Sequence, residues 1–166
     1  MITKIHQQEN MQAGYTFDLK HFDNLSIHEL YDIMSLRQSV FIVEQNCVYL
    51  DADFKDKASW HLMMLDDKHQ IVGYARLLPE GISYQDYTSI GRVITSYETR
   101  NLGLGKILMA KAVEETIKLF GPTPIKIGAQ AHLERFYNTF GFIREGDNYM
   151  EDGIPHTIMV RKNAEL

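Results

Sequence analysis

The segment from Ser89 to Ala129 sets the tightest limit on how this chain can fold. Ser89-Ile90-Gly91-Arg92-Val93-Ile94-Thr95 reads as a central strand. From Leu104 to Phe120, Lys111, Glu114, Glu115 and Lys118 recur at helical spacing, while Met109, Val113, Ile117 and Phe120 form a separate apolar face. Gly121-Pro122 stops this helix. Ile125-Lys126-Ile127-Gly128-Ala129 then reads as a strand. A strand–helix–strand unit of this kind requires a sheet with a helix on its face.

The flanking sequence extends the sheet. Tyr15 to Leu19 reads as a first strand. Ser26-Ile27-His28-Glu29 has the form of a capping box, and the apolar spacing after it predicts a helix over about 27–39. Phe41 to Gln45 reads either as its last turn or as a second short helix. Trp60–Leu65 and Ile71–Leu78 form a hairpin across the polar turn Asp66–Gln70. Leu133 to Phe140 is a short helix closed by Gly141. Phe142–Arg144 and His156–Val160 are two last strands, with Glu151–Pro155 as their turn. The order β, α, β, β, β, α, β, α, β, β predicts an α/β fold, a mixed sheet with helices on its faces. At 166 residues the chain fits one domain, 1–166.

Charge and cysteine content narrow the function classes. The formal net charge is −5, which argues against nucleic acid or an anionic membrane surface as the main partner. Cys47 is the only cysteine, so no intrachain disulfide forms, and a free thiol fits a reducing compartment. The N-terminus lacks a signal-like apolar stretch, and no run approaches the ~20 apolar residues of a spanning helix. A cytoplasmic protein is expected. The histidines are scattered and no His/Cys/Asp cluster has ligand spacing, so no metal is expected.

Arg100-Asn101-Leu102-Gly103-Leu104-Gly105-Lys106 lies between the central strand and the best helix. A helix start offers free N–H groups and a favourable dipole to an anion, and glycine lets the backbone approach a phosphate. Arg100 and Lys106 add positive charge. The dinucleotide fingerprint fails because its third glycine is replaced by Leu108. A P-loop fails because Arg100 stands where it needs glycine and Ile107 where it needs Ser or Thr. What remains is Arg-x-x-Gly-x-Gly, with a ligand-free glycine turn as the alternative reading.

This motif, after a strand and opening a helix, is similar to the coenzyme-A pyrophosphate loop of the GNAT superfamily. Phe136-Tyr137-Asn138-Thr139-Phe140-Gly141-Phe142 resembles that family's second signature. From about Leu25 to Arg161 the chain also resembles the ElaA subgroup. The stretches that carry this are Leu36 to Cys47, Ile90-Gly91-Arg92-Val93, Gly128-Ala129-Gln130-Ala131-His132-Leu133 and Glu151-Asp152-Gly153-Ile154-Pro155-His156. The resemblance implies a mostly antiparallel twisted sheet with a V-shaped opening between two parallel strands, at 89–95 and 124–130. It implies acetyl-CoA as co-substrate and direct transfer to an amine in a ternary complex. The pantetheine arm would bond the backbone of Val93, Ile94 and Thr95, and an N–H near Val93 or Ile94 would face the thioester oxygen as it becomes an oxyanion.

Tyr137 matches the family's usual general acid, with an amphipathic core tyrosine as the alternative. Glu44 is the first candidate for the base that deprotonates the amine; its alternative is a structural or substrate-pairing carboxylate. His61, His132 and His156 are further candidates, since imidazole is poised near neutrality. Arg37, Arg76 and Arg92 lie on core-forming elements, where an arginine pairs a buried carboxylate or holds a substrate anion. Arg37, Arg76 and His132 are thus the candidate substrate residues. Cys47 reads as a bystander, because nothing nearby lowers its pKa. The expected partner is a small-molecule or peptide amine, with homodimer formation left open. The alternatives are an acyl-CoA-binding sensor without catalysis and a module whose Tyr84-Gln85-Asp86-Tyr87 loop docks another protein.

Overall fold

Alternation along the central strands divides the molecule into two cores. The computed structural model describes residues 11–12 and 14–162. In chain order these form β1 (Met11–Gln12), β2 (Tyr15–His21), α1 (Ile27–Arg37), β3 (Trp60–Leu65), β4 (Ile71–Leu78), β5 (Ser89–Thr95), α2 (Leu104–Phe120), β6 (Ile125–Gln130), α3 (Glu134–Asn138), β7 (Ile143–Glu151) and β8 (Ile154–Arg161). Successive strand residues point to opposite faces. Leu62, Met64, Ala75 and Leu77 accordingly join Leu108, Met109 and Ala112 of α2 in the larger core. Met63 and Tyr74 join Ile33 of α1 in the smaller one. Helices therefore cover both faces of the sheet. A fully buried Leu or Met side chain contributes about 1.5–3 kcal/mol.

Strands β1 to β5 form one antiparallel sheet in sequence order, and β6-β8-β7 form a second. Their backbones join at one edge among the described residues. Thr88 and Ile125 make a single parallel bridge, with Thr88 N–H to Pro124 O at 3.2 Å and Lys126 N–H to Thr88 O at 2.9 Å. Beyond that bridge no ladder joins β5 to β6 among the described residues. This is the V-shaped opening between two central parallel strands.

Several predicted elements lie as expected. β3, β4, β5 and α2 have the predicted bounds. The capping box forms, with Glu29 N–H to Ser26 Oγ at 3.1 Å and Ser26 N–H to Glu29 Oε2 at 2.8 Å. Other elements differ. α1 ends at Arg37 and passes into one wide turn, Gln38–Glu44, closed by bonds from Gln45 N–H to Val40 O and Cys47 N–H to Ile42 O. Such wide turns cluster at functional sites. β7 runs seven residues past the predicted Arg144, through a bulge between Glu145 and Tyr149. Its residues are all exposed, as on an edge strand, so no hydrophobic alternation marked it. The β7–β8 turn is only Asp152-Gly153, both with positive φ. Pro155 lies within β8, opposite Met150.

The segment between the wide turn and β3 is held by buried ion pairs. Arg37 donates Nε–H to Asp51 Oδ2 at 2.8 Å and Nη1–H to Asp56 Oδ1 at 2.6 Å. Arg76 of β4 bonds Asp53 at 2.7 and 2.8 Å and Asp56 at 2.9 Å. Arg92 of β5 reaches Asp51 at 2.7 Å. His61 closes the network, with Nδ1 2.8 Å from Tyr74 Oη and Nε2 3.0 Å from Asp56 O. Burial lowers its pKa, so the imidazole there is neutral. Removing one partner of a buried pair leaves the other charge uncompensated.

Arg37→Ala should therefore cost about 3–5 kcal/mol of stability, read by urea unfolding. Acid should weaken the same network. Despite the upward push of partial burial, Arg76 and Arg92 hold the Asp53 carboxyl at about 2, below its ordinary 3.8. Stability from a depressed carboxyl is present above the unfolded value and is lost as pH falls through the folded one. The melting temperature should drop between about pH 4 and pH 2, and less steeply in Asp53→Asn.

Candidate active site

Where β5 and β6 part, a cleft of about 900 Å³ opens, lined by Val93, Ile94 and Thr95 on one side and Ile127 to Gln130 on the other. A smaller hollow of about 230 Å³ adjoins it and shares Thr95, Arg100, Gly105 and Phe136. Thr99, Asn101, Gly103, Leu104 and Lys106 complete that hollow. Leu102 lines neither space, and its side chain is exposed.

The hollow has the chemistry of an anion site. Asn101 and Gly103 both take left-handed φ, at 64° and 76°, which curls the loop around its own N–H groups. No side chain caps α2 at Gly103. Two glycines stand here for different reasons. Gly103 needs its positive φ. Gly105 does not: a Cβ built there would meet nothing closer than Phe136 Cζ at 4.0 Å. The protein itself would accept a side chain at 105; a glycine is required there only where an anion comes close to the backbone.

β5 carries a bulge at this point. Tyr74 pairs with Ile94 but Arg76 with Gly91, so Arg92 and Val93 together oppose Ala75. The extra residue changes the facing of the strand. Ile90 and Val93 pack into the larger core, and Ile94 into the smaller. Residues 90 and 94 would share a face in a regular strand. Arg92 adopts φ 53°, unusual for a non-glycine residue, and such strain costs of order 1–3 kcal/mol. Its bond to Asp51 and the faces of Phe41 and Tyr49, at 5.7 and 5.8 Å, hold it there. A bulge leaves its extra residue unpaired in the ladder, and both bulge residues, Arg92 and Val93, line the cleft.

Tyr137 lies on the β6 side, its ring edge-on to Phe136 and Phe142 at 5.1 and 6.2 Å. It lines the cleft, and no hydrogen bond of its hydroxyl is found among the described residues. Burial alone pushes its pKa up to about 12, so it carries its proton at neutral pH. Glu44 is also at the cleft, but both its oxygens face Arg100, with Arg100 Nη2 at 2.8 Å from Oε2 and Nη1 bonded to Oε1. This is the pairing role of its two readings. His132 lines the cleft and is exposed.

Two candidate substrate residues need correction. Arg37 is fully buried, its guanidinium occupied by Asp51 and Asp56, and it does not line the cleft. Arg76 touches the cleft wall, but it is 3% exposed and its charge is neutralised by Asp53 and Asp56. Both arginines pair buried carboxylates. His61 is likewise internal. Tyr84 lines the cleft, and Lys126 sits over the rings of Tyr84 and Tyr87 at 5.5 and 4.5 Å.

Sequence reasoning missed Gln45, Tyr84 and Tyr149 as cleft residues. Gln130 Nε2 donates to Gln45 Oε1 at 3.1 Å across the cleft. Gly128 explains the tyrosines: a Cβ there would lie 2.9 Å from Tyr149 Oη and 3.5 Å from Tyr84 Oη, so the glycine makes room for both. Residues from Ile42 to Cys47 and from the β7–β8 hairpin meet where Cys47 Sγ donates to Asp152 O at 3.3 Å.

This geometry is that of an acyl-CoA-dependent acyltransferase, and the similarity to known proteins agrees. Residues 38–163 match the acetyltransferase (GNAT) domain family. Protein ElaA of Escherichia coli is 41% identical over 143 residues, covering 86% of this chain and 93% of its own. A UPF0039 protein of Synechocystis is 40% identical over 141 residues, covering 85% and 91%. The crystal structure of an acyl-CoA N-acyltransferase from Pseudomonas aeruginosa superposes with a TM-score of 0.83 at 38% identity, over 89% of this chain and 99% of that one. The chain belongs to the GNAT acetyltransferase family, and within it to the ElaA-type subgroup. Its family uses acyl-CoA as co-substrate. Among the described residues no helix is long and apolar enough to cross a membrane.

Gly105→Val should keep the fold, since the site is open and the φ ordinary. Isothermal calorimetry should show coenzyme A affinity falling by about tenfold or more, the equivalent of roughly 1.4 kcal/mol. Unchanged affinity would place the pyrophosphate elsewhere.

Proposed function

We propose that the protein is a cytoplasmic N-acetyltransferase that moves the acetyl group of acetyl-CoA directly onto a primary amine in a ternary complex. One observation carries this reading: the uncapped glycine loop adjoins a cleft into which an unpartnered, protonated phenol is set. The loop from Arg100 to Lys106 would hold the pyrophosphate. The cleft backbone at Val93, Ile94 and Thr95 would align the pantetheine arm, and the N–H of Val93, in the bulge, would bond the thioester oxygen as charge develops on it.

Tyr137 then acts as general acid. Collapse of the tetrahedral adduct breaks the C–S bond, and the thiolate takes the phenol proton. The proton that the amide nitrogen sheds restores the phenol. Glu44 in this reading orders Arg100 beside the phosphate site. The acyl-CoA-binding sensor remains the rival reading, and an unpartnered phenol in the cleft favours the enzyme. Thiol release from acetyl-CoA with a panel of primary amines, checked by mass spectrometry of the product, decides between them. Tight coenzyme A binding with no amine-dependent release would identify a sensor.

Tyr137→Phe keeps the ring and removes the hydroxyl. Its kcat should fall by about 10²–10⁴, or roughly 3–5 kcal/mol of barrier. KM for acetyl-CoA should move much less, because the bond is made in the transition state. A kcat within about threefold of wild type would return Tyr137 to a packing role.

A further inference from the structure

The β7–β8 hairpin carries a polar group that the reading above does not use. Strand pairing aligns Gln130 of β6, His156 of β8 and Tyr149 of β7 in one row across the second sheet. Residues directly opposite one another share a face, and Glu151, two residues on from Tyr149, shares it too. All four line the cleft that Tyr137 lines.

His156 is held in one orientation. Nδ1 lies 2.8 Å from Ile154 O. A carbonyl only accepts, so Nδ1 carries the hydrogen and Nε2 of the neutral ring keeps its lone pair. Nε2 has no hydrogen bond among the described residues and lies 3.7 Å from Glu151 Oε2. The Tyr149 ring flanks the imidazole at 5.9 Å. Backbone carbonyl, imidazole and carboxylate thus present a fixed base with a counter-charge beside it. His61 has both nitrogens bonded inside the core, and the Glu44 carboxylate is paired with Arg100.

We propose that His156 is the general base that deprotonates the acceptor amine, with Glu151 as the positioning carboxylate that stabilises the imidazolium. This rests on the acetyl-transfer reading above. The acceptor enters as an ammonium ion, drawn toward Glu151. Nε2 takes one proton, and the neutral nitrogen attacks the thioester carbon, forming the C–N bond as the carbonyl π pair moves to oxygen. Breakage of C–S then follows with the phenol proton, and the imidazolium releases its proton to solvent. The groups that face His156 are Glu151 and Tyr149 of β7 and Gln130 of β6, with Tyr84 beside Tyr149 from the loop before β5.

The experiment compares wild type, His156→Ala and Tyr149→Phe in amine-dependent thiol release across pH, with coenzyme A affinity measured on each. His156→Ala should lose about 10²–10³ in kcat/KM for the amine while coenzyme A affinity stays within about twofold. Its profile should lose the acid-side limb of wild type, and added imidazole should restore at least about tenfold of the rate, an effect that a packing role would not give. Tyr149→Phe should keep the limb. Turnover by wild type, with His156→Ala within about threefold of it or lacking imidazole rescue, overturns the assignment of His156 alone. If wild type releases no thiol with any amine, the acetyl-transfer reading falls, and this proposal with it.

Discussion

Asp51 is the carboxylate on which the working shape of this protein depends. It accepts from Arg37 at the end of α1 and from Arg92 in the bulge of β5. Asp56 extends the grip to Arg76 of β4. An ion-paired network thus fastens an irregular segment, 45–59, against the sheet. Three arginines face three aspartates, so the charges balance in a largely buried network. Without that balance burial of so many charges would be prohibitive. The network also fixes Arg92 at a backbone angle it would not adopt freely, and so stabilises the bulge.

The bulge and the splayed strands work together. Splaying of β5 from β6 beyond Thr88–Ile125 creates a slot bounded by backbone that has no neighbouring strand. The bulge turns part of that backbone out of its ladder with β4. An extended ligand can bond such an edge much as a strand would. At one end of the slot lies the start of α2, and at the other the β7–β8 hairpin. On the proposed reading the cleft has a phosphate end, a transfer point near Val93 and Tyr137, and an acceptor end lined by Tyr149, Glu151 and His156. The proposed acid, base and anion site come from different elements, as in many folds whose scaffold outlives its substrate choice.

Much of this was legible in the chain itself. The α2 helix announced itself through its polar face and Gly121, and the loop before it through two glycines flanked by Arg100 and Lys106. β3, β4 and β5 were dense apolar runs between polar turns. The family followed from the order of the two signatures. These are local properties: hydrophobic period, capping and turn chemistry act within a few residues, so sequence expresses them directly.

Other features depended on groups distant in the chain. Whether Arg37 and Arg76 met substrate or carboxylate depended on where Asp51, Asp53 and Asp56 arrived, which no local pattern encodes. The bulge at Arg92 inverts the facing of β5 without altering its composition, so only its register against β4 reveals it. β7 hid because an edge strand exposed on every residue lacks the apolar alternation that marks a buried one. His156 was one histidine among seven until strand pairing set it beside Tyr149 and within reach of Glu151. The sequence determined the elements and the anion loop, because their causes are local. The tertiary structure decided which charges are structural and which face the cleft, because that depends on contacts between residues far apart in the chain.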